Sequence, residues 1–225
     1  MDALKADTVR QFGHFNWWLV AKGFLASPTY RVLVTFRCCQ AAQQCHPTLR
    51  WPAFVFARLW HGLACQWSGI ELPWRTEIAP GLALTHGRGI VINVGTRIGS
   101  NVTLFHGVTL GQRDHIDSEG RRFTTYPVIE DEVWIGPQAI VVGGVTIGRG
   151  SRIAGGAYVF RSIPAYSVVL GNPGQVVKSH CTPDVDNRWE PSQSDANPST
   201  PDPDAADFTT ADKSTATKRR QPQRP

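Results

Sequence analysis

Ile129-Glu130-Asp131-Glu132-Val133-Trp134-Ile135-Gly136-Pro137-Gln138-Ala139-Ile140-Val141-Val142-Gly143-Gly144-Val145-Thr146-Ile147-Gly148-Arg149-Gly150-Ser151-Arg152-Ile153-Ala154-Gly155-Gly156-Ala157-Tyr158-Val159 returns an aliphatic residue at every sixth position: Ile129, Ile135, Val141, Ile147, Ile153 and Val159. Four residues after each aliphatic comes a second small or apolar one, as at Val133, Ala139, Val145 and Ala157. Neither a helical period of 3.6 nor a strand period of 2 produces this spacing. A period of six is that of a hexapeptide β-helix, in which each hexad makes one short flat strand and a corner. Chance spacing within a β-sandwich is the alternative, and six unbroken hexads argue against it. The inward aliphatics are expected to stack into ladders along the axis. Glycines such as Gly136 and Gly148 are expected to relieve corners where φ turns positive.

Working upstream, the same step runs through Ile92, Ile98, Leu104 and Leu110, and a partial series covers Ile78, Leu84 and Ile90. The rhythm breaks twice. Leu84 to Ile92 is eight residues, two more than a hexad, and Leu110 to Ile129 is nineteen, thirteen more. The long insertion is charged (Arg113, Asp114, His115, Asp117, Glu119, Arg121, Arg122) and cannot line an aliphatic core, so it is expected to protrude as a loop over 111–128.

Residues 1–68 lack the hexad and hold five of the eight tryptophans: Trp17, Trp18, Trp51, Trp60 and Trp67. They read as two or three amphipathic helices broken near Pro28 and at Pro47 to Pro52. One reading is a helical layer packed on the first coil. The sharper one is an aromatic, basic surface in peripheral contact with a membrane. Residues 69–178 form the expected β-helix. Beyond Ser179 the chain turns to Pro, Ser, Thr, Asp, Ala and Gln, and residues 179–225 read as a disordered tail.

Bulk properties narrow the function classes. The 225 residues carry 23 Lys and Arg against 18 Asp and Glu, with part of the excess in Lys218-Arg219-Arg220 and Arg224. The remaining body lacks the dense basic stripe of a nucleic-acid binder. Five cysteines (Cys38, Cys39, Cys45, Cys65, Cys181) without paired spacing read as reduced thiols. The polar start MDALKADTVRQ is unlike a signal peptide, and no apolar run reaches about 18 residues. A cytoplasmic protein is expected, free or at the inner face of the membrane.

Chemistry concentrates at His86 and His106. Each follows its ladder residue by two positions, and the twenty residues between them equal one coil plus the two-residue irregularity. The spacing therefore stacks the two rings on successive coils. Glu71, fifteen residues before His86, is close enough for a carboxylate on the coil below to reach the imidazole. Satisfied corner histidines and an exposed strand-edge carboxylate are the bland readings. Without a GxSxG or HExxH motif, a histidine beside a carboxylate points to general-base activation of a hydroxyl.

Thr85-His86-Gly87-Arg88-Gly89-Ile90-Val91-Ile92 and Leu104-Phe105-His106-Gly107-Val108-Thr109-Leu110-Gly111 resemble serine acetyltransferases and related hexapeptide-repeat acyltransferases, as do Ser162-Ile163-Pro164-Ala165 and Gly171-Asn172-Pro173. The resemblance covers about residues 69–178, roughly half the chain. It implies a left-handed parallel β-helix, a homotrimer, and acetyl-CoA as co-substrate in the groove between neighbouring subunits. It also implies His86 as general base and Glu71 as its orienting acid. Two departures stand out. Thr85 replaces the family's Asp before the histidine, and Thr125-Tyr126-Pro127 replaces Arg-His-Pro after the loop. Both lost groups pair the charges of an amino acid, so the acceptor is expected to be either L-serine or a neutral sugar hydroxyl of surface-polysaccharide biosynthesis.

On this reading His86, Glu71 and His106 are the catalytic candidates, with His106 or a backbone N–H at Gly111 facing the oxyanion. Gly111, Gly136, Pro137, Gly155 and Gly156 are the acetyl-CoA-binding candidates, the last four along the pantetheine arm, with Arg149, Arg152, Arg161 or Lys178 near its phosphates. Thr85, Arg113, Arg122 and Tyr126 are the acceptor-side candidates, with no metal. The rivals are a γ-carbonic-anhydrase-like zinc enzyme using His86, His106 and His115, and a non-catalytic trimeric scaffold.

Overall fold

The computed structural model describes residues 2–44 and 46–190. Four helices precede the β-helix: α1 (Asp2–Phe12), α2 (Trp17–Ala26), α3 (Pro28–Gln43) and α4 (Pro47–Ser68). This is one or two more than the proline pattern suggested. Pro28 and Pro47 take first-turn positions, where a missing N–H removes no hydrogen bond, so they start helices. Pro52 lies inside α4, past its first turn, and the helix runs through it.

The β-helix has three parallel faces. Face one holds β1 (Glu77–Ile78), β4 (Arg97–Ile98), β9 (Val128–Ile129) and β12 (Thr146–Ile147). Face two holds β2 (Ala83–Thr85), β5 (Thr103–Phe105), β10 (Trp134–Ile135), β13 (Arg152–Ile153) and β15 (Val168–Leu170), closed by the antiparallel β16 (Gln175–Lys178). Face three holds β3 (Val91–Ile92), β6 (Thr109–Gly111), β11 (Ile140–Val142) and β14 (Tyr158–Val159). The ladders are those read from the hexads: Ile78 over Ile98, Ile129 and Ile147; Leu84 over Leu104, Ile135 and Ile153; Ile92 over Leu110, Val141 and Val159. All are buried. Ile90 is the exception: it is buried at a corner, because the eight-residue step makes Ile92 the ladder residue.

The expected loop is a hairpin, β7 (Arg113–Ile116) paired antiparallel with β8 (Arg122–Thr125). Its thirteen surplus residues leave the ladders in phase, since Leu110 still pairs Val141 and Ile98 still pairs Ile129.

Glycine works differently from the expectation. Gly136 and Gly148 do not have positive φ; they allow coils to touch. A Cβ at Gly136 would sit 2.7 Å from the Gly155 nitrogen, and one at Gly148 would run into the Ala165 nitrogen. On two of the edges positive φ falls three residues after a ladder aliphatic, except at Gly89, which the two-residue irregularity sets five after Leu84. On the edge between faces one and two the series is Gly81, Asn101, Glu132, Gly150 and Tyr166; on the edge between faces two and three it is Gly89, Gly107, Gln138 and Gly156.

The helical layer meets the first coil through buried polar groups. Arg37 pairs with Asp7 at 2.7 Å and donates to the Ile78 and Ala79 carbonyls, while Asp7 accepts from the Gly81 and Leu82 N–H groups. The backbone of a terminal coil has no further coil to pair with, and these two side chains supply its partners. Burial raises the Asp7 carboxyl above its ordinary value, against the opposing pull of Arg37 and the two N–H donors.

Residues 179–190, the first part of the expected tail, lie against the edge between faces one and two. Trp189 N–H donates to Asn101 Oδ1 and its carbonyl accepts from Asn101 Nδ2; Arg188 reaches Glu132 at 2.6 Å; Cys181 N–H donates to the Tyr166 carbonyl. Composition alone could not show this, because the contacts are specific side-chain pairs without periodicity. The rest of that tail, 191–225, lies outside the described residues.

Candidate active site

The edge between faces two and three carries the two histidines. Thr85 pairs in register with Phe105, which sets His86 over His106, and their rings meet edge to face with centroids 6.4 Å apart. The two extra residues after Leu84 form the corner His86-Gly87-Arg88-Gly89. They turn His86 into the left-handed region at φ 53°, exposed, with its carbonyl accepting from Arg88 N–H at 2.6 Å. A non-glycine residue in that region costs about 1–3 kcal/mol, a strain that concentrates at functional sites. His106 is half-buried, and its Nδ1 is buried without a hydrogen-bond partner among the described residues.

The same corner continues up the axis through backbone bonds: Gly107 N–H to the Arg88 carbonyl, Gln138 N–H to the His106 carbonyl, and Gly156 N–H to the Pro137 carbonyl. His86, His106, Pro137, Gly155 and Gly156 thus form one column, with Gly136 packed just inside it. Gly155 and Gly156 are exposed, and a side chain at Gly156 would meet nothing within 4 Å. A narrow, amide-rich chain can run along such an edge against bare backbone.

Glu71 pairs through its backbone with Val91 on face three, one coil below the histidine corner, where Gly89 N–H reaches the Gly69 carbonyl. Its exposed side chain lines a cleft of ≈ 730 Å³ with Arg58, His61, Trp74 and Gly89. Among the described residues no hydrogen bond joins Glu71 to His86. Thr85 is half-buried at the end of β2.

The hairpin and its residues are not at this column. Gly111 ends face three, where its carbonyl accepts from Gly143 N–H, and Tyr126 lies at the next edge with its ring flat on Gly95, where a Cβ would fall 2.5 Å away. Arg113 packs its stem on Gly143, and Arg122 pairs loosely with Asp114 at 3.6 Å. Within one chain these groups stand a whole face away from His86. Of the phosphate candidates, Arg149 is engaged by Glu132 and Arg152 by Asp184, both beside the edge between faces one and two. Arg161 and Lys178 have no ion pair among the described residues. His115 stacks on Phe123 in the hairpin at 5.0 Å, away from His86 and His106, and the described residues of one chain bring no three potential metal ligands together.

Comparison with known proteins agrees with the geometry. Residues 126–161 match the bacterial transferase hexapeptide family, six repeats. Serine acetyltransferases of Bacillus licheniformis and Bacillus subtilis are each 38% identical, over 132 and 124 residues, covering 59% and 55% of this chain and the same shares of theirs. The chain therefore matches little more than half the length of these relatives. Crystal structures of serine acetyltransferase from Vibrio cholerae, and from Brucella abortus in complex with coenzyme A, superpose with TM-scores of 0.60 at 23% identity. They cover 82% and 80% of this chain, and 67% and 68% of theirs. The chain carries a left-handed parallel β-helix with the fold of the serine acetyltransferases, a match to bacterial transferase hexapeptide repeats over residues 126–161, and a sequence similar to that of a serine acetyltransferase over 59% of its length.

Proposed function

We propose that this chain is an acetyl-CoA-dependent O-acetyltransferase of the serine acetyltransferase type. The observation that carries the reading is the single open column in which two stacked histidines run into an uncovered glycine-proline corner. Acetyl-CoA supplies the acetyl group as an activated thioester, and the small residues Gly136, Pro137, Gly155 and Gly156 leave room for its arm. His86, exposed and fixed by its corner, takes the proton from the acceptor hydroxyl. Glu71, on the coil beneath, stabilises the imidazolium as the acceptor site fills. His106 Nδ1 is held out of water with no partner among the described residues; an unmet acceptor costs less there than an unmet N–H, which favours the tautomer with the proton on Nε2. Nε2–H is then the donor for the developing oxyanion. Holding hydroxyl and thioester together contributes at most about 7–11 kcal/mol through proximity.

The acceptor is L-serine or a sugar hydroxyl. The names of the relatives favour serine; Thr85 and Tyr126, in place of charged groups, favour a neutral acceptor. The separation of hairpin and histidines within one chain supports a homotrimer in which the hairpin of one copy, with Arg113, Arg122 and Tyr126, faces the column of the next. A thiol-release assay with acetyl-CoA against L-serine and a panel of sugars tests the activity. Acceptor-dependent release is expected, and its absence with every acceptor overturns the reading. Light scattering that shows a monomer at micromolar concentration overturns the shared site.

A further inference from the structure

The helical layer carries a surface that neither the β-helix nor the other helices cover. On α4 the buried positions Ala57, His61, Ala64 and Ser68 turn one stripe inward, and 3.6 residues per turn sets Leu59 and Leu63 on the opposite side. Leu59 is 65% exposed, Trp51 74% and Phe56 69%. Phe56 stacks on Trp60 at 6.2 Å and Trp60 on Phe24 of α2 at 6.4 Å, so the aromatic strip crosses from one helix to the next. On α2, Trp18 and Leu25 are exposed seven residues apart, on one stripe. A contiguous apolar surface of this kind marks an interaction site.

Charge selects the occupant. Between Asp7 and Glu71 the sequence contains no Asp or Glu. Lys22, Arg50 and Arg58 are exposed on α2 and α4, and among the described residues none of them makes an ion pair. Two copies of this face would bring like charges together. An anionic lipid leaflet answers both features: leucines and rings settle at the boundary of headgroups and acyl chains, and the cations meet phosphates. No helix among the described residues is long and apolar enough to cross a membrane, so the layer would lie on the surface.

We propose that α2 and α4 form a docking face for an anionic bilayer. The outer groove of α4, lined by Leu59 and Leu63, shares Arg58, Gly62 and Gln66 with the cleft that holds Glu71. Docking therefore brings that cleft beside the lipid. The proposal stands on the helical layer alone and is independent of acetyl transfer.

The full-length protein is sedimented with vesicles of phosphatidylcholine, with and without phosphatidylglycerol, at low and high salt. Binding is expected to the anionic vesicles, about tenfold weaker or more without phosphatidylglycerol or at high salt, where exposed charges are screened. Leu59→Glu with Leu63→Glu should weaken it at least about tenfold, and so should Lys22→Glu with Arg50→Glu, which leaves the apolar residues in place. Thermal melts report whether each variant folds, and the charge pair carries the test alone if the leucine pair does not. Failure to bind anionic vesicles overturns the proposal, as does unchanged binding by the charge pair. Lipid-free self-association that disappears in the leucine pair also overturns it, because the face would then belong to a second copy.

Discussion

Two edges of the same β-helix have the same backbone and opposite uses. Both carry left-handed residues coil after coil: Gly81, Asn101, Glu132, Gly150 and Tyr166 on one, and His86 with Gly89, then Gly107, Gln138 and Gly156 on the other. The first edge is sealed. Helix α1 covers Gly81 through Asp7 and Arg10, and residues 181–189 cover the rest, with three non-glycine residues tolerated in a strained region because each is held by specific partners. The second edge is bare and lined mostly by glycine, and its one two-residue irregularity turns out a histidine. Coil geometry alone does not make a site. What the chain lays over an edge, or leaves off it, does.

The contrast can be broken most sharply at His86. His86→Ala should lower acetyl transfer by about 10²–10⁴-fold, equivalent to about 3–5 kcal/mol of barrier, with acetyl-CoA affinity and melting temperature unchanged. Steady-state kinetics beside isothermal titration separates these effects, and undiminished turnover would place the base elsewhere. A stop codon after Ser179 should act in the opposite sense. It unseals the first edge, removing the Trp189–Asn101 pair and the Arg188 and Asp184 ion pairs, and should cost about 2–4 kcal/mol at roughly 1 kcal/mol per hydrogen bond. Turnover per folded molecule should hold. A denaturant titration measures the first quantity, and a parallel fall in kcat would show that the two edges are not independent.

Gly136→Ala sharpens the comparison from the open side. Its methyl would press on the Gly155 nitrogen and the Trp134 ring, at 2.7 and 2.8 Å, for about 1–3 kcal/mol of overpacking. The KM for acetyl-CoA should rise while that for the acceptor stays level; equal rises in both would move the acetyl-CoA arm off this corner. The smallest effect is expected for Glu132→Gln. It keeps the side-chain shape but removes the charge that Arg149 and Arg188 share, for about 1–2 kcal/mol in a thermal melt and no change in kinetics.

Much of this was legible in the sequence because a period of six is arithmetic. It placed the ladders, the insertion and the stacking of His86 on His106, since twenty residues can only mean one coil plus two. Contacts without a period were illegible. Nothing in the spacing of residues 179–190 announces that Trp189 will pair with Asn101 or that Arg188 will find Glu132. The role of Gly136 was misread for a related reason: a sequence shows that a side chain is missing, while only packing shows whether torsion or space required its loss. The packing of the Tyr126 ring on Gly95, a residue thirty-one positions away, was illegible for the same reason.

The two ends of the β-helix carry a consequence for the behaviour of the protein in bulk. A stack of parallel coils is an open-ended polymer, and its terminal backbone is a template for the next molecule. At one end Asp7 and Arg37 occupy that backbone with side chains; at the other, β16 runs antiparallel and offers no continuation of the parallel register. These are chain terminators in the polymer sense, and they set the length of the assembly. Losing the Asp7–Arg37 end should show first as fibrous, end-to-end aggregation, before any defect at the histidines is seen.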